Sequence, residues 1–272
     1  MIPKGRLIII GGDNADEHER ESPQYQSFSQ ISRLLSDKKD DRFEIITASE
    51  SMESIQKYFC EILSKEGYNN FDFIHVHKNH HTEDYTSRIL EAKIVFFADY
   101  EQKTYNILEN SAILKLLNKK YLTEEDFTIV GINSGAMCIS GHILNGSGTD
   151  TGLGFINNCI IDTQFDHKTR FKELVKAILS HQECLGLGIT GRIALIIEKG
   201  YKASCIGNGS IIVVNAKNVK NKRFREGDSL FAKYLKGHIL TEGCMLNLFS
   251  GELIKDNEFN YNLNFINRNT IQ

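Results

Sequence analysis

Five short apolar runs constrain the fold of this chain more than any other feature. They are Arg6–Ile10, Phe43–Thr47, Phe71–Val76, Ile94–Phe97 and Phe127–Val130, all dominated by β-branched and aromatic residues. Segments with helical spacing follow them. One runs through Phe28, Ile31, Leu34 and Leu35, and the others cover Met52–Glu66, Tyr85–Leu90 and Tyr105–Leu117. A strand with one wet face alternates polar and apolar residues, whereas these runs barely alternate. They therefore predict an α/β fold whose parallel sheet is covered by helices on both faces. A helix over Lys168–Leu179 is followed by strand signals at Ile193–Glu198, Ala203–Ile206 and Ser210–Asn215. Turn sequences at Glu198-Lys199-Gly200 and Gly207-Asn208-Gly209 separate them, which predicts an antiparallel C-terminal extension. No linker or low-complexity tract interrupts the chain. Residues 1–272 are expected to form a single α/β domain, with a loosely ordered Asn-rich tail from about residue 255.

Composition narrows the function. The net charge of −3 supplies no basic field for a phosphate backbone, so no nucleic-acid partner is expected. The apolar run near the N-terminus is too short for a signal peptide, and no stretch approaches the ~20 apolar residues of a membrane span. The chain is expected to be cytoplasmic, without a membrane partner. Its six cysteines form no C-x-x-C pair and read as buried thiols. Gly11-Gly12-Asp13 lacks the G-x-G-x-x-G of a dinucleotide site, and no cofactor is expected. His75 and His77 share one strand face, with His80 and His81 just beyond, the only grouping of imidazoles suggestive of a metal. No carboxylate–His motif accompanies them, and solvated loop histidines are the simpler reading. The acidic run Asp16-Glu17-His18-Glu19 and the basic run Lys217–Arg225 read as solvated segments.

Chemistry in such sheets gathers where strand ends meet helix starts. The fifth run leads into Gly131-Ile132-Asn133-Ser134-Gly135-Ala136-Met137, a small-residue turn that opens a helix. A nucleophile elbow has the form G-x-nucleophile-x-G, because the flanking glycines allow the backbone to fold tightly. Gly131 and Gly135 fit that form with Asn133 at the centre. A one-residue shift would instead centre Ser134, flanked by Ile132 and Ala136.

At this turn the sequence resembles the cyanophycinase family of serine peptidases, whose corresponding turn reads G-T-S-A-G-A. The resemblance runs along most of the chain. Lys4-Gly5-Arg6-Leu7-Ile8-Ile9-Ile10-Gly11-Gly12 is similar to the family's first strand and glycine pair, and Ile46-Thr47-Ala48-Ser49 to its second strand end. Gly152-Leu153-Gly154-Phe155 and Ile161-Asp162-Thr163-Gln164-Phe165 resemble its G-L-G-L and I-D-x-H-F segments. Gly186-Leu187-Gly188-Ile189 resembles the start of its G-I-G-I-D-E run. Membership implies a flavodoxin-like three-layer sandwich, related to class I glutamine amidotransferases. It also implies serine-type hydrolysis of aspartyl-linked peptides such as β-Asp-Arg, and a homodimer.

The resemblance also implies a Ser-His-Glu triad, and here the chain departs from the family. The Ser position holds Asn133, the His position Gln164 and the Glu position Gly191. An amide neither attacks a carbonyl nor accepts a proton usefully near neutral pH. Of the family's F-x-G-G-D-Q segment, Phe97-Ala98-Asp99-Tyr100-Glu101-Gln102 keeps Gln102 and loses both glycines. Asp162, Lys168 and Arg170 match substrate-holding positions and retain their charge type. The chain is thus expected to be an inactive pseudopeptidase that binds a peptide or amino-acid-like ligand, pairing with itself or with an active relative. The alternative is a working hydrolase with a shifted Ser134/His167 pair. Ser134 follows Asn133 on a helix, where successive side chains diverge by ~100°, which argues against that shift.

Overall fold

The runs at Arg6–Ile10, Phe43–Thr47, Ile94–Phe97 and Phe127–Val130 form strands because their near-continuous hydrophobicity is satisfied only between two covering layers, while Phe71–His75 forms a half-buried edge strand. In the computed structural model, β1 (Arg6–Ile10), β2 (Phe43–Thr47), β3 (Phe71–His75), β4 (Ile94–Phe97) and β5 (Thr128–Ile132) are all parallel, in the order β3-β2-β4-β5-β1. The structure describes residues 1–11, 31–32, 35–48, 52–76, 85–98, 106–146, 148–165, 168–223 and 230–254. The expected tail from 255 and most of the helix expected around Phe28 to Leu35 lie outside them.

Side chains on β1 alternate between two apolar clusters. Leu7 and Ile9 enter one, Ile8 and Ile10 the other. Helix α1 (Met52–Lys65) sends Phe59, Ile62 and Leu63 into the second cluster. Helices α2 (Thr86–Glu91) and α3 (Ala112–Thr123) pack on the first, through Ile89 and through Ile113, Leu117 and Tyr121. Three layers result. The helix that spacing predicts from Tyr105 is broken in two, with residues 106–108 helical before α3 begins, for a local reason. Asn110 adopts φ 61°, which no helix continues through, and the Ser111 hydroxyl then accepts the Leu114 N–H at 3.1 Å as an N-cap.

After β5 comes a short helix, α4 (Ser134–Met137). It is followed by a hairpin of β6 (His142–Leu144) and β7 (Thr149–Thr151), then β8 (Cys159–Asp162) and α5 (Lys168–Ser180). α5 covers the first cluster with Leu174 and Ile178. The long strand β9 (Leu185–Glu198) joins the two parts of the sheet. Its first residues run parallel to β8, and its last run antiparallel to β1.

β10 (Lys202–Asn215) returns along the whole of β9. The turn expected at Glu198-Lys199-Gly200 is present, with φ 54° at Lys199 and 69° at Gly200. The turn expected at Gly207–Gly209 is not: those residues lie inside β10, opposite Ile193 to Gly191. A Cβ on Gly209 would stand 2.4 Å from the Thr190 carbonyl oxygen, so the glycine marks close strand approach rather than chain reversal. β11 (Lys222–Arg223) and β12 (Phe231–Ala232) form a separate ribbon. β13 (Lys236–Leu240) and β14 (Met245–Asn247) both pair with β10, and β15 (Glu252–Leu253) pairs with β14, completing the antiparallel extension. No helix among the described residues is long and apolar enough to cross a membrane.

Candidate active site

The register of the parallel strands brings the carboxyl ends of β1, β4 and β5 to one rim: Ile10 lies beside Ile132, and Phe97 beside Gly131. At that rim β5 turns sharply into α4 through Asn133, which adopts φ 51°, ψ −122°. Positive φ is strained for any residue with a side chain, and such strain gathers at functional turns. The two flanking glycines are sterically required. A Cβ on Gly135 would stand 2.0 Å from the Phe97 carbonyl oxygen, and one on Gly131 would stand 2.5 Å from the Ala136 Cα. Both obstacles are backbone and cannot move aside. Glycine spacing and backbone strain therefore agree that Asn133 is the apex residue, with Ser134 the first residue of α4.

The Asn133 carbonyl accepts the Ala136 N–H at 3.0 Å and the Thr163 hydroxyl at 2.9 Å, which clamps the turn to the end of β8. Its side-chain Oδ1 is buried and finds no hydrogen-bond partner among the described residues. Buried polar atoms are nearly always paired, so this acceptor stands out.

At the end of β8, the fully buried Asp162 accepts the Gln164 N–H at 3.0 Å. It also accepts a forked pair from Arg170 Nε and Nη2, at 2.9 and 2.7 Å. Arg170 in turn donates to Glu173 at 3.2 Å. A forked guanidinium–carboxylate pair is both strong and rigid. Asp162 therefore holds the Gln164 backbone and Arg170 in place.

A pocket of about 220 Å³ opens against this arrangement. Ser134, Gln164 and Arg170 line it, with Met137, Ile143 and Leu144 as its apolar wall and Asp150 as a second charged group. Asp150 gives it a negative charge, while the Arg170 guanidinium at its edge is already paired with Asp162 and Glu173. No histidine is among these described lining residues. Asn133 and Gln164 offer hydrogen bonds but no nucleophile and no base.

Asn133, Ser134, Asp162, Gln164 and Arg170 are thus brought together at one end of β5 and β8. Although Ser134 follows the apex residue, its position on α4 still reaches the pocket. Gly191 lies in mid-β9 opposite Gly209, and Lys168 opens α5. Gln102 and His167 lie outside the described residues, as do His77, His80 and His81, while His75 ends β3. Buried Cys138 donates its thiol to the Gly135 carbonyl and belongs to the core. The residues that sequence reasoning missed are Ile143, Leu144 and Asp150, on the β6–β7 hairpin. A signal was available: Asn145-Gly146-Ser147-Gly148 is a turn sequence between two short strand-like triplets.

No family model matches the chain. It is 24% identical to the cyanophycinase of Synechococcus elongatus over 263 residues, covering 90% of this chain and 80% of that protein. The chain is cyanophycinase-like. It is also 23% identical to the cyanophycinase of Trichormus variabilis over 157 residues, a match spanning 53% of this chain but only about half (52%) of that relative's length. A crystal structure of a peptidase from an acI-B1 actinobacterium superposes with a TM-score of 0.62. That comparison covers 90% of this chain and 97% of the other at 16% identity, so this cyanophycinase-like chain shares its fold.

Proposed function

We propose that this cyanophycinase-like chain is a pseudopeptidase, which binds an aspartyl-linked peptide or amino-acid-like ligand without hydrolysing it. The observation that carries the reading is the identity of the apex residue. The strained position between Gly131 and Gly135, where the family resemblance puts a serine, holds Asn133. The family's base and orienting positions fall on Gln164 and Gly191, so no proton relay follows from these residues. The pocket retains what binding needs: an apolar wall, the Gln164 amide, the Ser134 hydroxyl and the charged side chains of Asp150 and Arg170. The resemblance implies a homodimer or pairing with an active relative, and the short N-terminal apolar run supports a cytoplasmic location.

Calorimetric titration with β-Asp-Arg and other aspartyl-linked dipeptides tests this reading. Saturable binding, weakened by Gln164→Ala, is expected without product. Absence of binding to every such peptide contradicts it.

A second reading rests on Ser134, which lines the same pocket as Gln164. With His167 as base, it would make the chain a serine-type hydrolase. Turnover of aspartyl-linked peptides lost in both Ser134→Ala and His167→Ala is the result that reading requires.

A further inference from the structure

Behind the pocket wall, two chain segments bring together a donor set that the peptidase chemistry does not use. His142 begins β6, while Glu183 and Cys184 form the corner between α5 and β9. One ligand-capable atom from each lies within 4.8 Å of the others. A tetrahedral Zn²⁺ with ligands at about 2.0–2.3 Å needs donor separations of about 3.3–3.8 Å, a modest contraction from this arrangement. A thiolate, an imidazole and a carboxylate suit zinc, whereas calcium and magnesium take oxygen donors. The surroundings resemble an outer ligand shell. The His181 ring stacks on His142 at 3.9 Å between centroids and fixes its plane. His181 Nε2 bonds the Thr149 hydroxyl at 3.0 Å, and its Nδ1 stands 3.7 Å from the Glu183 carboxylate. Glu183 is 68% exposed, which gives an ion a path in, and Cys184 is buried, which shields the sulfur.

We propose that His142, Glu183 and Cys184 form a Zn²⁺-binding site that pins the β6–β7 hairpin to the α5–β9 corner. Cys184 ligates as thiolate, its proton passing to buffer, and gives up its present contact with the Asn157 carbonyl at 3.3 Å. The hairpin carries Ile143, Leu144 and Asp150 into the pocket, so the ion braces one wall of that pocket. A water completes the coordination on the exposed side.

The test is equilibrium dialysis of the chelator-treated full chain against Zn²⁺, together with the absorption spectrum of its Co²⁺ complex. One equivalent of Zn²⁺ is expected, with affinity reduced at least about tenfold in His142→Ala and in Glu183→Ala, since even outer-shell partners are worth that much. The exposed Glu183 can be replaced without disturbing the core, so that variant separates ligand loss from misfolding. The Co²⁺ complex is expected to show a thiolate charge-transfer band, absent in Cys184→Ser. Zn²⁺ binding that Glu183→Ala leaves unchanged, or that is lost instead in His75→Ala/His77→Ala, overturns the proposal. So does a Co²⁺ spectrum without the thiolate band.

Discussion

Asn133 holds a backbone conformation that costs about 1–3 kcal/mol for a residue with a side chain, and its buried Oδ1 lacks a partner among the described residues. Asn133→Gly removes both costs while adding the backbone freedom of glycine to the unfolded chain. A net gain of about 1 kcal/mol is expected in urea unfolding, whereas a β-branched residue there loses stability. If the glycine variant is less stable than the natural chain, the strain at the apex is not real. Tyr121 poses the same question in the core. Its ring is buried against Phe155, and its hydroxyl finds no partner among the described residues. Tyr121→Phe is therefore expected to be neutral or stabilising by up to about 1 kcal/mol, because an unpaired buried hydroxyl is a cost that phenylalanine lacks.

At the scale of elements, the β5–α4 turn is set by the contact between Gly135 and the end of β4. Gly135→Ala places a methyl against the Phe97 carbonyl and is expected to cost about 3 kcal/mol or more. The thermal midpoint reads this directly, and an unchanged midpoint contradicts the close approach. The link from β8 to α5 depends on the buried Asp162 and its forked bond to Arg170. Asp162→Asn removes the buried one of the guanidinium's two carboxylate partners, Glu173 remaining, and is expected to cost about 3 kcal/mol in denaturant unfolding. These elements also show what was legible in the sequence. The five parallel strands could be read because uninterrupted apolar runs have few alternatives, and the elbow because two glycines at that spacing serve one geometry. The unbroken course of β10 could not be read. Gly207-Asn208-Gly209 spells a turn locally, and only the approach of Thr190 across the sheet makes glycine the residue for a strand there. The pairing of Asp162 with Arg170 and the meeting of His142 with Cys184 were hidden for a similar reason. Each depends on where β8, β6 and the α5–β9 corner come to rest in three dimensions, which local spacing does not encode.

On the scale of the whole molecule, the six cysteines form no disulfide, and four of them are buried. Burial pushes the Cys205 thiol up to about 12 from an ordinary value of 9.0, with Cys244 adding to the shift. A thiol with a raised folded pKa keeps its proton while the unfolded chain loses one. Its contribution to stability is complete below pH 9 and lost as pH rises toward 12. Denaturation midpoints are expected to fall across that window, and Cys205→Ala to flatten the fall; an unchanged slope contradicts the assignment. The central claim concerns the molecule as a catalyst. A three-layer α/β frame holds a strained elbow and a pocket, but the apex is an amide. Mass-spectrometric analysis of β-Asp-Arg incubated with the purified chain at high concentration for a day tests that claim most directly, with Ser134→Ala as the control. The account predicts no cleavage above that control. Cleavage by the natural chain that Ser134→Ala abolishes would contradict it, and would show that the hydrolytic chemistry operates one residue beyond the apex.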